Sequence, residues 1–210
     1  MKLITYDQSK CDNCGACQIV CSLEKKGKFV PGEARIHIET AGGLDSMRAV
    51  VCQHCAEPMC VTACMRGIIH KDPETGMVTR NYEDCFRCAA CNVMCPVGAA
   101  VLDNDLEAFI TCDFCDGDPL CVAVCPTKAL RYEDVHEVSE DRRTQFAKMS
   151  LGNPGMLVGV AAQNHAPEID ETERWKDVSA KLKERGISAR PSQLKSWSER
   201  IKKAQAKEVE

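Results

Sequence analysis

The spacing of sixteen cysteines constrains this chain more than any other feature: they fall into four blocks of four, all before residue 126. The blocks are Cys11, Cys14, Cys17, Cys21; Cys52, Cys55, Cys60, Cys64; Cys85, Cys88, Cys91, Cys95; and Cys112, Cys115, Cys121, Cys125. The first and third read C-x2-C-x2-C-x3-C. In that spacing three thiolates hold three irons of one 4Fe-4S cube and the fourth reaches a neighbouring cube. Four blocks predict four 4Fe-4S clusters, with all sixteen cysteines as iron ligands.

The blocks also repeat. The second and fourth share a wider central gap, four residues in CQHCAEPMC and five in CDFCDGDPLC. The order tight, wide, tight, wide predicts two duplicated units, each with one block of each kind. Composition leaves two pairings open: one with four and two with three, or one with two and three with four.

Other cysteine chemistries fit less well. Zinc sites favour C-x2-C pairs separated by longer loops, and a short block of four cannot pair internally as disulfides without strain. A c-type haem needs C-x2-C-H, which is absent. There is no acid, base or nucleophile constellation and no G-x-G-x2-G loop for a flavin or nicotinamide. Catalysis on a substrate is therefore expected on another polypeptide.

Aromatic residues make up only 5% of the 210 residues, so metal is expected to supply cohesion that a large core would otherwise give. Residues 1–135 carry 13 Lys and Arg against 19 Asp and Glu, whereas residues 136–210 carry 14 against 12. An acidic body argues against a nucleic-acid partner. Residues 1–10 show no apolar export segment, and the longest apolar run, Met156 to Ala162, is far short of the ~20 residues a spanning helix needs. A cytoplasmic protein without a membrane span is expected.

Between the blocks, short apolar runs read as hairpins. Gly67 to His70 and Met77 to Thr79 flank a turn at Asp72 to Gly76, which would bring Cys64 near Cys85. Arg35 to Ile38 alternates as a strand, is expected to pair with Met47 to Val51 across Gly42-Gly43, and would shield a cluster. Residues 149–168 read as an irregular linker. Beyond them, Trp175, Val178 and Leu182, then Leu194, Trp197 and Ile201, recur at i, i+3, i+7 on two amphipathic helices, the first ending at Gly186. Asp177 with Lys181 and Glu199 with Lys203 are spaced for i, i+4 support. The apolar stripes suit packing on the cysteine-rich body or docking into a partner subunit. Two regions result: a cluster-binding domain over 1–135, and a linker with a helical tail over 136–210 as a candidate docking element.

Accessory residues sit beside the ligands. His54 is expected as a spacer packed over a cluster, with donation to sulfur as the alternative. Arg66, Arg87 and Lys128 are expected as solvated side chains, and Met59, Met65 and Met94 as cluster-covering core. Pro96 and Pro126 follow the last cysteines of blocks three and four and stop the chain there. Ser22 and Met65 take that place in blocks one and two.

The motifs CDNCGACQIVC, CQHCAEPMCVTAC, CFRCAACNVMCP and CDFCDGDPLCVAVCP resemble the four-cluster iron-sulfur subunits associated with molybdopterin and tungstopterin oxidoreductases, hydrogenases and carbon monoxide dehydrogenases. The resemblance covers Cys11 to Pro126 and implies an α+β fold. Its parts would be tandem bacterial-ferredoxin-like bicluster units related by a pseudo-twofold, with small hairpins, short helices and a helical tail. It also implies the nested pairing. One cube would then take Cys11, Cys14, Cys17 and Cys125, and its neighbour Cys112, Cys115, Cys121 and Cys21. The inner pair would take Cys52, Cys55, Cys60 and Cys95, and Cys85, Cys88, Cys91 and Cys64. The implied function is an electron-transfer subunit, not an enzyme on its own. It would link a catalytic subunit to a ferredoxin, flavoprotein or other redox partner. The favoured catalytic subunit is a tungsten- or molybdenum-pterin enzyme of aldehyde oxidoreductase or aromatic-acyl-CoA reductase type. A free-standing polyferredoxin carrier, or a subunit of a hydrogenase or carbon monoxide dehydrogenase, is the alternative.

Overall fold

The computed structural model describes residues 1–40, 47–140 and 169–207. The Gly42-Gly43 turn and the 149–168 linker expected from sequence lie outside these residues. Within them the strands are β1 Lys2–Tyr6, β2 Ile36–Thr40, β3 Met47–Val51, β4 Ile69–Lys71, β5 Val78–Arg80, β6 Val101–Asp103, β7 Ala108–Ile110 and β8 Leu130–Asp134. The helices are α1 Ala16–Lys26, α2 Met59–Ala63, α3 Ala90–Val93, α4 Leu120–Ala123, α5 Glu171–Glu184 and α6 Pro191–Lys207, and residues 135–140 are also helical.

The strands form four separate antiparallel pairs, β1 with β8, β2 with β3, β4 with β5, and β6 with β7. Such two-stranded ribbons are marginal alone and need something to pack against. The β1–β8 pair closes the chain on itself, Lys2 opposite Asp134 and Tyr6 opposite Leu130, and so carries block one to block four. α1 packs on α4, and α2 on α3. The expected hairpins at 69–80 and 36–51 are present, with Ile69 opposite Arg80 and Ile36 opposite Val51.

The tail helices lie on this body. Trp175, Val178, Leu182, Leu194 and Ile201 are buried in the same core as Ile19, Val20, Leu120 and Val124. Phe29 stacks on Trp197 with ring centroids 4.6 Å apart. Arg174 pairs with Asp12, Ser198 donates to the Cys14 carbonyl, and Lys181 donates to the Ala123 carbonyl at 2.7 Å. Both apolar stripes are thus spent within the chain. Asp170 caps α5 by accepting from the Thr172 and Glu173 amides. Gly186, at φ 74°, closes its C-terminus in a Schellman turn, with Ile187 N–H donating to the Leu182 carbonyl. Asp177 and Lys181 pair at 2.8 Å. Glu199 and Lys203 form no pair among the described residues, and Lys195 instead reaches Glu171 on the other helix at 3.1 Å.

No helix among the described residues is long and apolar enough to cross a membrane.

Candidate metal centres

Each cysteine block makes the same backbone turn. The residue just before the second cysteine is left-handed in all four: Asn13, His54, Arg87 and Phe114, with φ of 53°, 43°, 57° and 55°. In the tight blocks the residue after the second cysteine is left-handed as well, Gly15 at 70° and Ala89 at 60°, and each caps the helix that carries the third cysteine. Turns of this kind gather backbone N–H groups around a concave anion site. After the last cysteine of blocks two, three and four the chain reverses through a bond from residue i+3 to the cysteine carbonyl. The donors are the amides of Gly67, Gly98 and Lys128, all at positive φ. Block one departs because α1 runs on past Cys21 to Gly27, which explains why Ser22 stands where blocks three and four have proline. Block two makes the same turn with Met65 where blocks three and four have proline.

The folded chain brings the cysteines together across blocks. One cavity is lined by Cys11, Cys14, Cys17 and Cys125, and another by Cys112, Cys115, Cys121 and Cys21. A third is lined by Cys52, Cys55, Cys60 and Cys95, and by Cys91 as well. The fourth is lined by Cys64, Cys85, Cys88 and Cys91. Each therefore presents three thiols from one block and at least one from another, and Cys91 lines both inner cavities. An all-thiol set of four suits iron-sulfur ligation. The carboxylates nearby are engaged elsewhere, Asp12 by Arg174, and Asp113 by Lys25 at 3.0 Å and Arg35 at 2.5 Å.

The outer quartets are the more deeply buried. Cys11, Cys14, Cys17, Cys21, Cys112 and Cys121 are buried and Cys115 and Cys125 half-buried, whereas in the inner quartets only Cys52 and Cys91 are buried, Cys55, Cys60, Cys64, Cys85 and Cys95 are half-buried and Cys88 is exposed. β2 supplies part of the roof, as Ile36 lines the Cys21 cavity and Ile38 the Cys11 cavity. Burial drives the Cys14, Cys17 and Cys121 thiols well above their ordinary range, and raises Cys21 to about 11. At Cys52 burial again dominates, raising the thiol to about 11 against the opposing His54 amide and Arg80 charge. Metal binding at such thiols must displace their protons.

Donors reach the sulfurs directly. The Arg35 amide donates to Cys21 Sγ at 3.2 Å, the Ala99 amide to Cys95 Sγ at 3.4 Å and the Phe114 amide to Cys112 Sγ at 3.4 Å. Arg80 Nη1 donates to Cys91 Sγ at 3.3 Å. The Tyr6 hydroxyl is buried beside Cys11, and burial followed by that contact raises its pKa far above the ordinary phenol value. Sequence reading missed Tyr6 and Arg80. Strand alternation carried a signal for the second, because Val78 and Arg80 share the inward face of β5.

The accessory residues divide. His54 is fully buried and tilted against Phe114 at 4.5 Å. Its Nδ1 accepts the Val78 amide at 2.8 Å, so it spaces the site and bonds backbone in place of sulfur. Arg66, Arg87 and Lys128 are exposed or partly so, and Arg66 lies over the Phe86 ring at 4.4 Å. Met59, Met65 and Met94 are not core: they are 45%, 89% and 45% exposed. The tail helices meet the chain around blocks one and four, and among the described residues no element covers these methionines, which are exposed like Phe86 and Val93.

A family model described as a 4Fe-4S dicluster domain matches residues 46–135, the stretch that contains blocks two to four. An uncharacterized ferredoxin of Methanocaldococcus jannaschii is 34% identical over 167 residues, covering 72% of this chain and 86% of that protein. The chain belongs to the 4Fe-4S dicluster ferredoxins. This ferredoxin is also 36% identical over 124 residues to the polyferredoxin-like subunit of an aliphatic sulfonate oxidoreductase of Pyrococcus furiosus, covering 59% of this chain and 69% of that one. The beta subunit of an NADH-dependent phenylglyoxylate dehydrogenase of Aromatoleum evansii is 35% identical over 131 residues. That match covers 61% of this chain and only 29% of the longer subunit. The chain is an iron-sulfur electron-transfer protein of the kind that serves oxidoreductase complexes as a subunit.

Proposed function

We propose that the chain holds four 4Fe-4S cubes in the four cross-block quartets and relays single electrons between a catalytic oxidoreductase subunit and a second redox partner. The observation that carries this reading is the lining of the cavities, in each of which three thiols of one block meet a thiol of another, with Cys91 shared between the two inner cavities. The cubes, when bound, supply one-electron oxidation and reduction. The chain's own part is to hold them, exclude water and set their potentials. The outer pair would use Cys11, Cys14, Cys17, Cys125 and Cys112, Cys115, Cys121, Cys21. The inner pair would use Cys52, Cys55, Cys60, Cys95 and Cys85, Cys88, Cys91, Cys64. Two such bicluster units related by a pseudo-twofold account for the alternation of tight and wide blocks.

The partner surface in this reading is the uncovered rim of the inner pair. Met65 and Phe86, 89% and 70% exposed, line the same cavity as exposed Cys88. Exposed apolar side chains grouped around a redox centre suit a contact that excludes water over the transfer point. The favoured partner is a tungsten- or molybdenum-pterin enzyme of aldehyde oxidoreductase or aromatic-acyl-CoA reductase type, supported by the motif resemblance and by relatives that are named as oxidoreductase subunits. A ferredoxin or flavoprotein would take the other side of the exchange.

A free polyferredoxin carrier is the second reading. It draws support from the two tail helices, whose apolar stripes are buried on the chain itself. Isolation of the chain from its native source under anaerobic conditions separates the two. The subunit reading expects a pterin-binding polypeptide and tungsten or molybdenum in stoichiometric amount. Elution alone, with all four cubes in place, would favour the carrier.

A further inference from the structure

Three of the buried or half-buried cations in this molecule are matched by carboxylates. Lys26 meets Glu33 at 3.0 Å, Asp105 at 2.8 Å and Asp103, which also closes that acidic cluster to any metal ion. Arg35 meets Asp113, and Arg174 meets Asp12. Arg80 is different. Among the described residues no carboxylate pairs with it, its Nη2 is buried without an acceptor, and its two bonds go to Cys91 Sγ and Thr111 Oγ1, each at 3.3 Å.

Its position gives the missing counter-charge a place. Arg80 ends β5 and lines both inner cavities, that of Cys64, Cys85, Cys88 and Cys91 and that of Cys52, Cys55, Cys60 and Cys95. A guanidinium left without an anion in a partly buried site is costly unless something negative completes it. A cube held by four thiolates is negative, and one electron makes it more so. A fixed cation between two such sites therefore stabilises the reduced form of both. In the outer pair, Asp113 and Asp12 stand beside the neighbouring cations and cancel this effect.

We propose that Arg80 is a shared potential-setting residue, which raises the reduction potentials of the two inner cubes together and makes the inner pair the resting place of electrons in the chain. Arg80 acts through its fixed charge and its bond to Cys91; it touches no substrate. The proposal rests on the four-cube reading above.

The test is an anaerobic potentiometric titration of the full chain followed by electron paramagnetic resonance, with iron and sulfide counted in every sample. Arg80→Gln is expected to lower the reduced-to-oxidised ratio of two of the four cubes about tenfold at fixed potential, about 59 mV for one electron, and to leave the other two unmoved. Arg80→Lys is expected to recover most of that shift. Thr111→Asp supplies the absent carboxylate with Arg80 in place, and is expected to lower the same two cubes; it carries the test if Arg80→Gln loses iron. Four cubes per chain with all potentials unmoved in Arg80→Gln, or in Thr111→Asp where that variant carries the test, would overturn the role of Arg80. Fewer than four cubes in the unaltered chain would instead overturn the reading on which it rests.

Discussion

Gly15 and Ile201 meet across the chain: a Cβ added to Gly15 would lie 3.1 Å from Cδ1 of Ile201, on the helix that roofs the first cysteine block. Gly15 also sits at φ 70°, where L side chains are strained. Block three has Ala89 at the corresponding place, at φ 60°. Gly15→Ala is expected to destabilise the chain by roughly 1–3 kcal/mol through strain and overpacking. Ala89→Gly should be neutral or stabilising by up to about 1 kcal/mol. Thermal unfolding of the two variants, followed by far-ultraviolet circular dichroism, checks the contrast.

The tail makes a second prediction about protection. Because α6 packs over block one through Ser198, Leu194 and Ile201, removing residues 187–210 should expose the Cys11, Cys14, Cys17 and Cys125 site. Iron loss to a chelator in that variant is expected to gain a fast phase of about one quarter of the iron. Loss with unchanged kinetics would show that the tail does not protect the site. Such a deletion also disturbs an outer cluster, so it is a poor probe of partner docking.

Much of this was legible in the sequence, for definite physical reasons. Cysteine spacing is short-range and obeys ligand geometry, so the blocks and their repetition read directly. The 3.6-residue stripes of Trp175, Val178 and Leu182 revealed both tail helices, and the Asp72 to Gly76 turn revealed its hairpin. What the tail covers was not legible, because a stripe shows that a face is buried and not against what. The error over Met59, Met65 and Met94 has the same origin. Local pattern marks apolar side chains, but only the assembled fold shows that the tail helices contact blocks one and four and that, among the described residues, no helix covers the inner rim. Arg80 was hidden because its meaning depends on a carboxylate that is absent in space, which no motif records.

The exposed rim predicts a separable docking defect. Phe86→Asp or Met65→Asp places a charge on the apolar surface beside Cys88, and should weaken association with the native partner at least tenfold, about 1.4 kcal/mol. Iron content should be unchanged. Binding measured by surface plasmon resonance under anaerobic conditions checks it, and unaltered affinity in both variants would move the interface elsewhere.

A fourth prediction concerns acid. Burial opposes ionisation of Asp103, but Lys26 and the Leu106 and Asp105 amides outweigh it and hold the carboxyl below its ordinary range. A carboxyl depressed in the folded state stabilises it above the unfolded pKa, and that contribution is lost as pH falls through the folded value. Asp103→Asn is expected to cost roughly 1–3 kcal/mol at neutral pH. The resulting drop in melting temperature should stay constant from about pH 8 to 5 and close only below about pH 4. A drop that instead grows on acidification would contradict the sign.

The central claim is that four cross-block cysteine quartets hold four cubes, and an elemental count reaches it most directly. Anaerobically purified chain should contain about 16 iron and about 16 acid-labile sulfide atoms, with visible absorption that bleaches under a low-potential reductant and returns on reoxidation. Serine at Cys125 should remove the cube shared with block one and leave those of the inner pair. Zinc in place of iron, about half the expected iron in fully loaded protein, or a Cys125 variant that loses an inner cube would contradict the account.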